Sequence, residues 1–345
     1  MATHATRGQR LLQAAACVSL VAIILGLVGV INQDFIKTQY HRWSVERAYA
    51  AAPLWRGALP AAQERALKPG QPFRECAPRQ PGKDDCPTMV VVPAGLFIMG
   101  SRLDVGIRKP PHKVTIIKPF AVSRYEVTFA ECQACVAGGG CNGYTASDEF
   151  GWGKGARPVI NVDWHDAQAY VAWLSEVTGK HYRLLSDAEY EYATRAGTTT
   201  VYPWGNDIKP NGKAMANCKG CGSRWDHKRT APVGSFTAEG FVGTFPANAF
   251  GLHDMVGNVF EWTEDCWHYS YNGAPRDGSA WLKADGGDCT QRVVRGGDWG
   301  NAPDLSRSAY SIGFVTDDRY YDLGFRVART LATQAGAITV APSVR

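Results

Sequence analysis

The spacing of apolar residues divides the chain into a membrane-like segment and a globular part. Residues 11–31 are almost continuously apolar, and at about 1.5 Å per residue this length crosses a bilayer as one helix. Arg7 and Arg10 precede it, which favours a cytoplasmic N-terminus at residues 1–10. Because no small-residue cleavage site follows directly, we predict an uncleaved signal anchor. The proline-interrupted residues 32–85 are then interpreted as a stalk.

The globular part begins with strand patterns and continues with two helices. β-branched runs at 89–99 and 113–127 predict strands. Apolar residues then recur with helical spacing after Asp163 and after Ser186, each of which begins a capping box, and Gly179 ends the first helix. Beyond the second helix, the sequence is rich in turns, glycine and aromatic residues.

Composition narrows the class of protein. The chain has 345 residues, a net charge of +5 and no dense run of lysine or arginine, so nucleic-acid binding is not indicated. Its 37 glycines, 11 tryptophans and 14 tyrosines are typical of a loop-rich domain held together by large side chains.

Ten cysteines indicate an oxidising compartment. Eight of them lie in close pairs that predict disulfides: Cys76 with Cys86, Cys135 with Cys141, Cys218 with Cys221, and Cys266 with Cys289. Cys132 is left over, as a buried inert thiol or a reactive one. A four-thiolate zinc site is the alternative, because Cys132 and Cys135 form a CxxC pair, as do Cys218 and Cys221. Disulfides favour export of everything beyond the anchor.

Eight motifs follow one another in an order that resembles the formylglycine-generating-enzyme (sulfatase-modifying factor) family. They are MVVVPAGLFIMGS, RYEVTFAEC, PVINVDWHDAQAY, RLLSDAEYEYATRAG, YPWGND, FGLHDMVGNVFEW, RVVRGGDW and LGFRVAR. The resemblance implies an α+β fold, a variant of the C-type-lectin fold with low regular secondary structure. It places the domain at residues 86–330 and leaves 331–345 as a tail.

The position of that family's catalytic cysteines departs from the pattern. The enzymes oxidise a sulfatase cysteine with a copper-binding cysteine pair, a few residues after a Gly-Gly-Ser motif. Here Gly296–Ser308 contains no sulfur, Asp298 replaces the serine, and Phe260 replaces a tryptophan. Since soft Cu(I) and thiol exchange both require thiolates, neither bound copper nor formylglycine synthesis is expected.

The resemblance also implies two structural calcium sites made of the hard oxygen ligands that calcium selects. One maps onto Asn217, the carbonyl of Cys218, Asp226 and the carbonyl of Lys228. The other maps onto Asp254, the carbonyls of Gly257 and Val259, and Glu261. In the alternative interpretation these acidic residues are loop caps and members of salt bridges.

A candidate pocket surrounds the position where the family binds its substrate. Its residues are Asp298, Asn301, Arg307, Tyr310 and Arg326. Asp298 could serve as a base, or it could pair with Arg295 or Arg307 and hold the loop. Tryptophans could line a cleft or act as core struts: Trp152, Trp164, Trp173, Trp204, Trp225, Trp262, Trp267, Trp281 and Trp299.

Three functions are compatible with this sequence. The first is a non-catalytic accessory or binding protein, anchored in the inner (cytoplasmic) membrane by one span with its C-terminal domain in the periplasm, that assists maturation or assembly of an exported protein partner. By resemblance, relatives without the cysteine pair accompany siderophore maturation and copper nitrite reductase. The second is an oxidoreductase with a divergent site around Asp298. The third is a structural subunit of a membrane complex.

Overall fold

The computed structural model describes residues 54–56, 58–76, 86–102, 110–148, 150–234 and 247–332. These residues belong to a unit that spans Ala52–Arg345. Within the described ranges, no helix is long and apolar enough to cross a membrane. The segments predicted as cytoplasmic N-terminus and signal anchor lie outside them, so the anchor at 11–31 stays a prediction.

Twelve strands form three sheets in the described part of the chain. They are β1 Leu54–Arg56, β2 Pro72–Cys76, β3 Thr88–Val92, β4 Gly95–Met99, β5 His112–Ile116, β6 Phe120–Ser123, β7 Tyr182–Arg183, β8 Phe260–Trp267, β9 Asp288–Arg295, β10 Ser311–Val315, β11 Leu323–Phe325 and β12 Ala328–Thr330. The sheets have the orders β1-β2-β3-β6-β12-β7, β10-β9-β8-β11 and β4-β5. Parallel pairing joins β1 to β2 and β8 to β11.

Four α-helices accompany the sheets: α1 Ala61–Ala66, α2 Phe129–Ala137, α3 Trp164–Thr178 and α4 Asp187–Arg195. The two predicted helices, α3 and α4, are confirmed, with capping boxes begun by Asp163 and Ser186, and Gly179 ends α3 at a φ of 68°. Helix α2 was not predicted, although Thr128 and Glu131 form its capping box. It spans nine residues, as α4 does, so its capping box was the local signal that could have predicted it.

The strand pattern at 89–99 is interrupted at Pro93. Strand β3, before it, is buried along its whole length and pairs with β2 and β6. Strand β4, after it, forms a hairpin with β5 and exposes Leu96 and Ile98. The single predicted strand is therefore two strands in two different sheets.

Part of the predicted stalk belongs to the folded domain. Within residues 58–76, Phe73 is fully buried, and β2 pairs with β3 along the six-stranded sheet. The predicted boundary at 86 is therefore too late, because proline is tolerated as the first residue of a strand, where Pro72 stands in β2. At the other end, Leu331 is buried and the amide of Ala332 donates to Glu64 at 2.7 Å, so the domain also extends past 330.

Buried ion pairs connect this N-terminal segment to the last strand. The Arg329 guanidinium, in β12, donates to Glu75 at 2.9 Å and to Glu64 at 3.0 Å. Tyr182 adds a hydrogen bond to Glu75 at 2.6 Å. All four groups are buried, so each charge depends on its partner for solvation.

We predict that Glu75→Ala lowers the free energy of unfolding by about 3–5 kcal/mol, because it leaves Arg329 buried without its main counter-ion. Asp317→Ala is the control, since Asp317 pairs with His165 at the surface, where the two side chains are 80% and 59% exposed. That change should cost less than about 1 kcal/mol. Urea unfolding measures the free energy of unfolding of both variants. Equal losses would contradict the larger contribution that we assign to the buried ion pair.

Candidate functional site

The loop that replaces the catalytic cysteine segment begins directly after β9. Gly296 and Gly297 adopt positive φ angles of 95° and 76°, a conformation that glycine accepts without a steric penalty. A Cβ atom on Gly297 would overlap Ser306, so the two ends of the loop are in contact. This double glycine turns the chain back and places Asp298 inside the fold.

Asp298 is fully buried and is held by its own loop. One carboxylate oxygen accepts hydrogen bonds from the amides of Gly300 at 2.6 Å and Asn301 at 3.1 Å, and the other accepts from the Asn301 side chain at 2.5 Å. Burial raises the pKa of Asp298, although these hydrogen bonds act in the opposite direction. The carboxylate thus caps the loop.

The predicted arginine partners of Asp298 are engaged elsewhere, so this part of the prediction is wrong. Arg295 donates to Asp187 at 2.5 Å and to Glu191 at 3.1 Å. Arg307 donates to a main-chain carbonyl of the loop at 2.9 Å. Helix α4 presents both acidic residues to Arg295, and this pairing could not be read from local sequence.

The other predicted pocket residues separate into two places. Asn301 and Tyr310 are half-buried and lie on the loop or just after it. Partial burial raises the pKa of Tyr310. Arg326 is fully buried and pairs with Glu261 at 2.6 Å, in a separate polar cluster.

Four aromatic rings form a closed cycle of contacts next to this loop, which we call the aromatic cluster. Phe150 stacks on Trp152 at 4.8 Å, and Trp152 meets Trp299 edge-on at 5.1 Å. Trp299 contacts Tyr321 at 5.8 Å, and Tyr321 returns to Phe150 at 5.3 Å. Phe150 and Tyr321 are 50% and 40% exposed. The outer side of the cluster is therefore at the surface, while Trp152 also packs against the hydrophobic core.

The remaining tryptophans mostly support the core interpretation. Five are buried: Trp173, Trp225, Trp262, Trp267 and Trp281. Sequence reasoning missed Phe150 and Tyr321, which lie far apart in the chain and carry no motif of their own. A surface role for aromatic residues is visible only once the tertiary contacts are known.

Asp322 adds a second carboxylate beside the aromatic cluster. It is half-buried and follows Tyr321. Burial, and then the negative charge of Asp298, raise the pKa of Asp322 to about 7. The backbone carbonyl of Asp322 accepts from the amide of Phe260 at 2.7 Å, which fixes the residue against β8.

Predicted disulfides are present for three pairs: Cys135–Cys141, Cys218–Cys221 and Cys266–Cys289. Cys86 is also disulfide-bonded, whereas the side chain of Cys76 lies outside the described residues. The zinc alternative is wrong, because the sulfurs of Cys135, Cys218 and Cys221 are committed to these bonds. Cys132 is free and buried, and burial raises its pKa to about 12.

Near Asp298, the described structure brings no pair of free thiols together. The segment that carries Cys218 and Cys221 is hydrogen-bonded to the loop, because the amide of Lys219 donates to the carbonyl of Asn301 at 2.9 Å. Both cysteines are fully buried within their disulfide. A donor set of carboxylate and amide groups does not fit copper(I), so no copper chemistry is assigned to this loop.

At the first predicted calcium site, neighbouring groups already donate hydrogen bonds to the side-chain ligands Asn217 and Asp226. Asp226 accepts from the amides of Gly220 at 2.8 Å and Gly222 at 2.6 Å. The Asn217 side-chain oxygen accepts from the Ser223 hydroxyl at 2.7 Å. These contacts favour the loop-cap interpretation of Asp226.

The second predicted calcium site contains more negative charge than its neighbours neutralise. Both oxygens of Glu261 accept from Arg326, at 2.6 and 2.9 Å. Asp254 has one long contact, 3.4 Å, from the amide of Gly234. Glu126 is 1% exposed, and its Oε2 atom has no hydrogen-bond partner among the described residues. Burial first, and then the neighbouring carboxylates, raise the pKa of Glu126.

Backbone geometry at this second site fits the predicted turn. Asp254 and Gly257 adopt positive φ angles of 56° and 80°. A Cβ on Gly257 would lie 2.6 Å from the carbonyl oxygen of Asn217, so the position requires glycine. In the described ranges, no group of three or more His, Cys, Asp and Glu side chains is arranged to hold a metal ion.

The fold and the loop together define a formylglycine-generating-enzyme-like protein whose catalytic segment lacks thiols. Comparison with known proteins agrees. The chain belongs to the family defined by the sulfatase-modifying factor enzyme 1-like domain, which matches residues 74–331. This match begins within β2, before the boundary that the sequence suggested.

Relatives include inactive and active members of the family. Inactive C-alpha-formylglycine-generating enzyme 2 of Mus musculus is 30% identical over 311 residues, 73% of this chain and 89% of its own. Formylglycine-generating enzyme of Mycobacterium tuberculosis is 32% identical over 227 residues, 51% of this chain and 73% of its own. The solved structure of PvdO from Pseudomonas aeruginosa is 40% identical, with a TM-score of 0.64, and covers 77% of this chain and 100% of PvdO.

We predict that Cys132 in the native protein resists alkylation at pH 8, because a buried thiol with a pKa of about 12 forms almost no thiolate. Unfolding without reduction should expose it, and the cysteines of the three disulfides should stay unlabelled. Mass spectrometry of the peptide that carries Cys132 measures the change. Rapid labelling of that peptide in the native state would contradict the burial of the thiol.

Proposed function

We propose that this protein is an exported, membrane-tethered member of the family that has lost formylglycine-generating activity and acts as a binding or accessory protein for an exported partner. The observation that carries the proposal is the loop Gly296–Ser308, which has kept its position after β9 but contains no thiol. Formylglycine synthesis needs a thiolate to bind copper(I) and to exchange with the substrate cysteine.

The contacts of Asp298 favour a binding role over the oxidoreductase alternative. Both of its oxygens are occupied by hydrogen bonds within the loop, and the side chain has no exposed surface. A general base has to reach the substrate proton, and a carboxylate with no exposed surface does not reach it. The half-exposed aromatic cluster, in contrast, presents a large surface suited to contact with a partner.

Export and tethering are supported by the disulfides and by the apolar segment at 11–31. Three described disulfides close loops of a fold that has short strands and few helices, and such bonds persist in oxidising compartments. An inner-membrane anchor with the domain in the periplasm is the topology we infer. A structural role in a membrane complex would share this topology and differ in requiring a permanent, stoichiometric partner.

We expect no formylglycine when the full-length protein, supplied with copper(I), is incubated with a sulfatase peptide that carries the target cysteine. The physical reason is the missing thiolate ligands. Formylglycine-generating enzyme of Mycobacterium tuberculosis serves as the positive control, and peptide mass spectrometry is the measurement. Conversion of the cysteine at a rate comparable to that of the control would contradict the proposed loss of activity.

We further propose that calcium occupies the second predicted site, with Asp254 and the carbonyls of Gly257 and Val259 as ligands beside Glu261. Support comes from the uncompensated charge there, since Arg326 pairs with one carboxylate while Glu126 and Asp254 lack a cation. A divalent cation bound at this position would offset their desolvation.

If calcium binds there, a concentration 100-fold above its Kd should raise the unfolding temperature by about 5 °C relative to EGTA. Asp254→Asn should abolish this shift. Asp226→Asn is the matched comparison and should keep it, because Asp226 is already satisfied by two amides. Differential scanning calorimetry gives the result, and a calcium shift that survives Asp254→Asn would rule out this site.

A further inference from the structure

The outer face of the hairpin formed by β4 and β5 presents aliphatic side chains to solvent. Leu96 and Ile98 of β4 are 46% and 53% exposed. Ile117, in the continuation of β5, is 57% exposed and follows Thr115, the residue that pairs with Leu96, by two positions. Because alternate residues of a strand point to the same side, these aliphatic side chains share one face of the hairpin.

The opposite face of the hairpin packs into the domain. Val114 and Ile116 are buried, and the ring of Phe97 contacts that of Tyr192 at 5.4 Å. A Cβ atom on Gly278 would lie 2.5 Å from the Ile116 side chain, so the chain passes close to the hairpin there. These contacts hold the hairpin against the domain, and its outer face is therefore a fixed part of the surface.

Exposed aliphatic side chains are concentrated on this face. Among the described residues, the large aliphatic side chains that are exposed are those of Leu96, Ile98, Ile117, Leu282 and Val315, so three of the five lie on the hairpin. Single apolar residues at a surface need no explanation, whereas a contiguous group marks contact with a partner or with an apolar medium.

Positive charge lies on the same face. Lys113 is exposed and is directly opposite Ile98 in the register of the two strands. Lys118, which follows Ile117, is exposed as well. Aliphatic side chains interspersed with lysine complement an anionic bilayer surface, because acyl chains accept the former and lipid phosphates attract the latter.

The segment beside β5 contributes one charge of each sign. The carbonyl of Arg276 accepts a hydrogen bond from the amide of Thr115 at 2.8 Å, and the Arg276 side chain is exposed. Asp277 is exposed next to it and accepts from the amide and the hydroxyl of Ser279, at 3.0 and 2.6 Å. These two charges offset each other, so the lysines of the hairpin set the sign of this surface.

The size of the face favours a bilayer over a protein partner. Two strands about 10 Å across and five residues long cover only about 170 Å². A stable protein interface buries about 800 Å² on each partner. A bilayer surface sets no such requirement, since single aliphatic side chains enter its interface while lysine ammonium groups stay among the headgroups.

The predicted anchor keeps the domain close to a bilayer. Residues 32–53 separate the apolar segment from β1, and a chain of that length reaches at most about 75 Å. A tether of this kind raises the effective concentration of the domain at the membrane to about the millimolar range. A small contact surface is then occupied without a high intrinsic affinity.

We propose that the face formed by Leu96, Ile98, Ile117 and Lys113 docks on the anionic surface of the bilayer that carries the anchor. The aliphatic side chains enter the boundary between headgroups and acyl chains, and Lys113 pairs with lipid phosphates. This contact gives the tethered domain a defined orientation. The inference rests on the membrane tether of the proposed function and is independent of the loss of catalytic activity.

Full-length protein with the substitutions Cys17→Ser and Thr115→Cys is labelled with a fluorophore and reconstituted in phosphatidylcholine vesicles that contain about 30% phosphatidylglycerol. Thr115 lies on the proposed face, and the buried Cys132 does not react. Lipids with a nitroxide on the acyl chain quench only a fluorophore that contacts the bilayer. Quenching should be at least about three-fold stronger than for a fluorophore attached through Asp317→Cys, at a surface position outside the hairpin.

Leu96→Ser combined with Ile98→Ser should reduce the quenching to the level of the Asp317 position. Val315→Ser is the matched control, because Val315 is 45% exposed on β10 of another sheet, and it should leave the quenching unchanged. Lys113→Gln should lower the ratio of docked to undocked domain about five-fold in the anionic vesicles only. If a variant fails to fold, the comparison of the two labelled positions decides the matter.

Flotation of the vesicles separates failure of the docking from failure of the tether. Protein that does not float with the vesicles would overturn the tether and this inference with it. Flotation with equal quenching at the two labelled positions would overturn the docking alone. Emission that shifts to the blue as the protein density rises, without nitroxide quenching, would indicate contact between copies of the chain and would also overturn the docking.

Discussion

The buried guanidinium of Arg295 is the interaction on which the candidate site depends. It ends β9, pairs with Asp187 and Glu191 of α4, and donates to the carbonyls of Ser308 at 3.0 Å and Tyr310 at 3.3 Å. One side chain therefore fixes the start and the end of the loop against a helix. Because a buried arginine needs several partners to offset its desolvation, the arrangement has little freedom.

Similar buried arginines connect the rest of this fold. Arg326 pairs with Glu261 of β8, and Arg329 joins the last strand to Glu64 and Glu75 near the other end of the described chain. Strands are short and helices few, so long ladders of backbone hydrogen bonds are scarce. Buried ion pairs and disulfides therefore contribute to holding segments that are distant in the sequence next to one another.

Replacing thiols with oxygen and nitrogen groups changes what the loop can do. A cysteine pair can bind a soft metal and exchange with a substrate thiol, whereas Asp298 accepts hydrogen bonds from its own loop and stabilises it. The scaffold that surrounds a family's active site is kept, while the reactive atoms are gone. Beside it, the aromatic cluster supplies a surface that suits recognition.

The sequence by itself determined the family, helices α3 and α4, and three of the disulfides, because capping boxes, motif order and cysteine spacing are local signals. It also determined that the catalytic cysteines are absent. Tertiary structure alone decided that Arg295 pairs with Asp187 and Glu191, that Asp298 caps its own loop, and that the segment around Glu75 joins the sheet.

The aromatic cluster is the clearest example of a feature that only the tertiary structure decided. Its four rings come from positions 150, 152, 299 and 321, and nothing in the sequence near any one of them indicates the others. Local patterns specify turns and caps because their energies arise within a few residues. Contacts between distant segments depend on the whole fold, so only its three-dimensional packing reveals them.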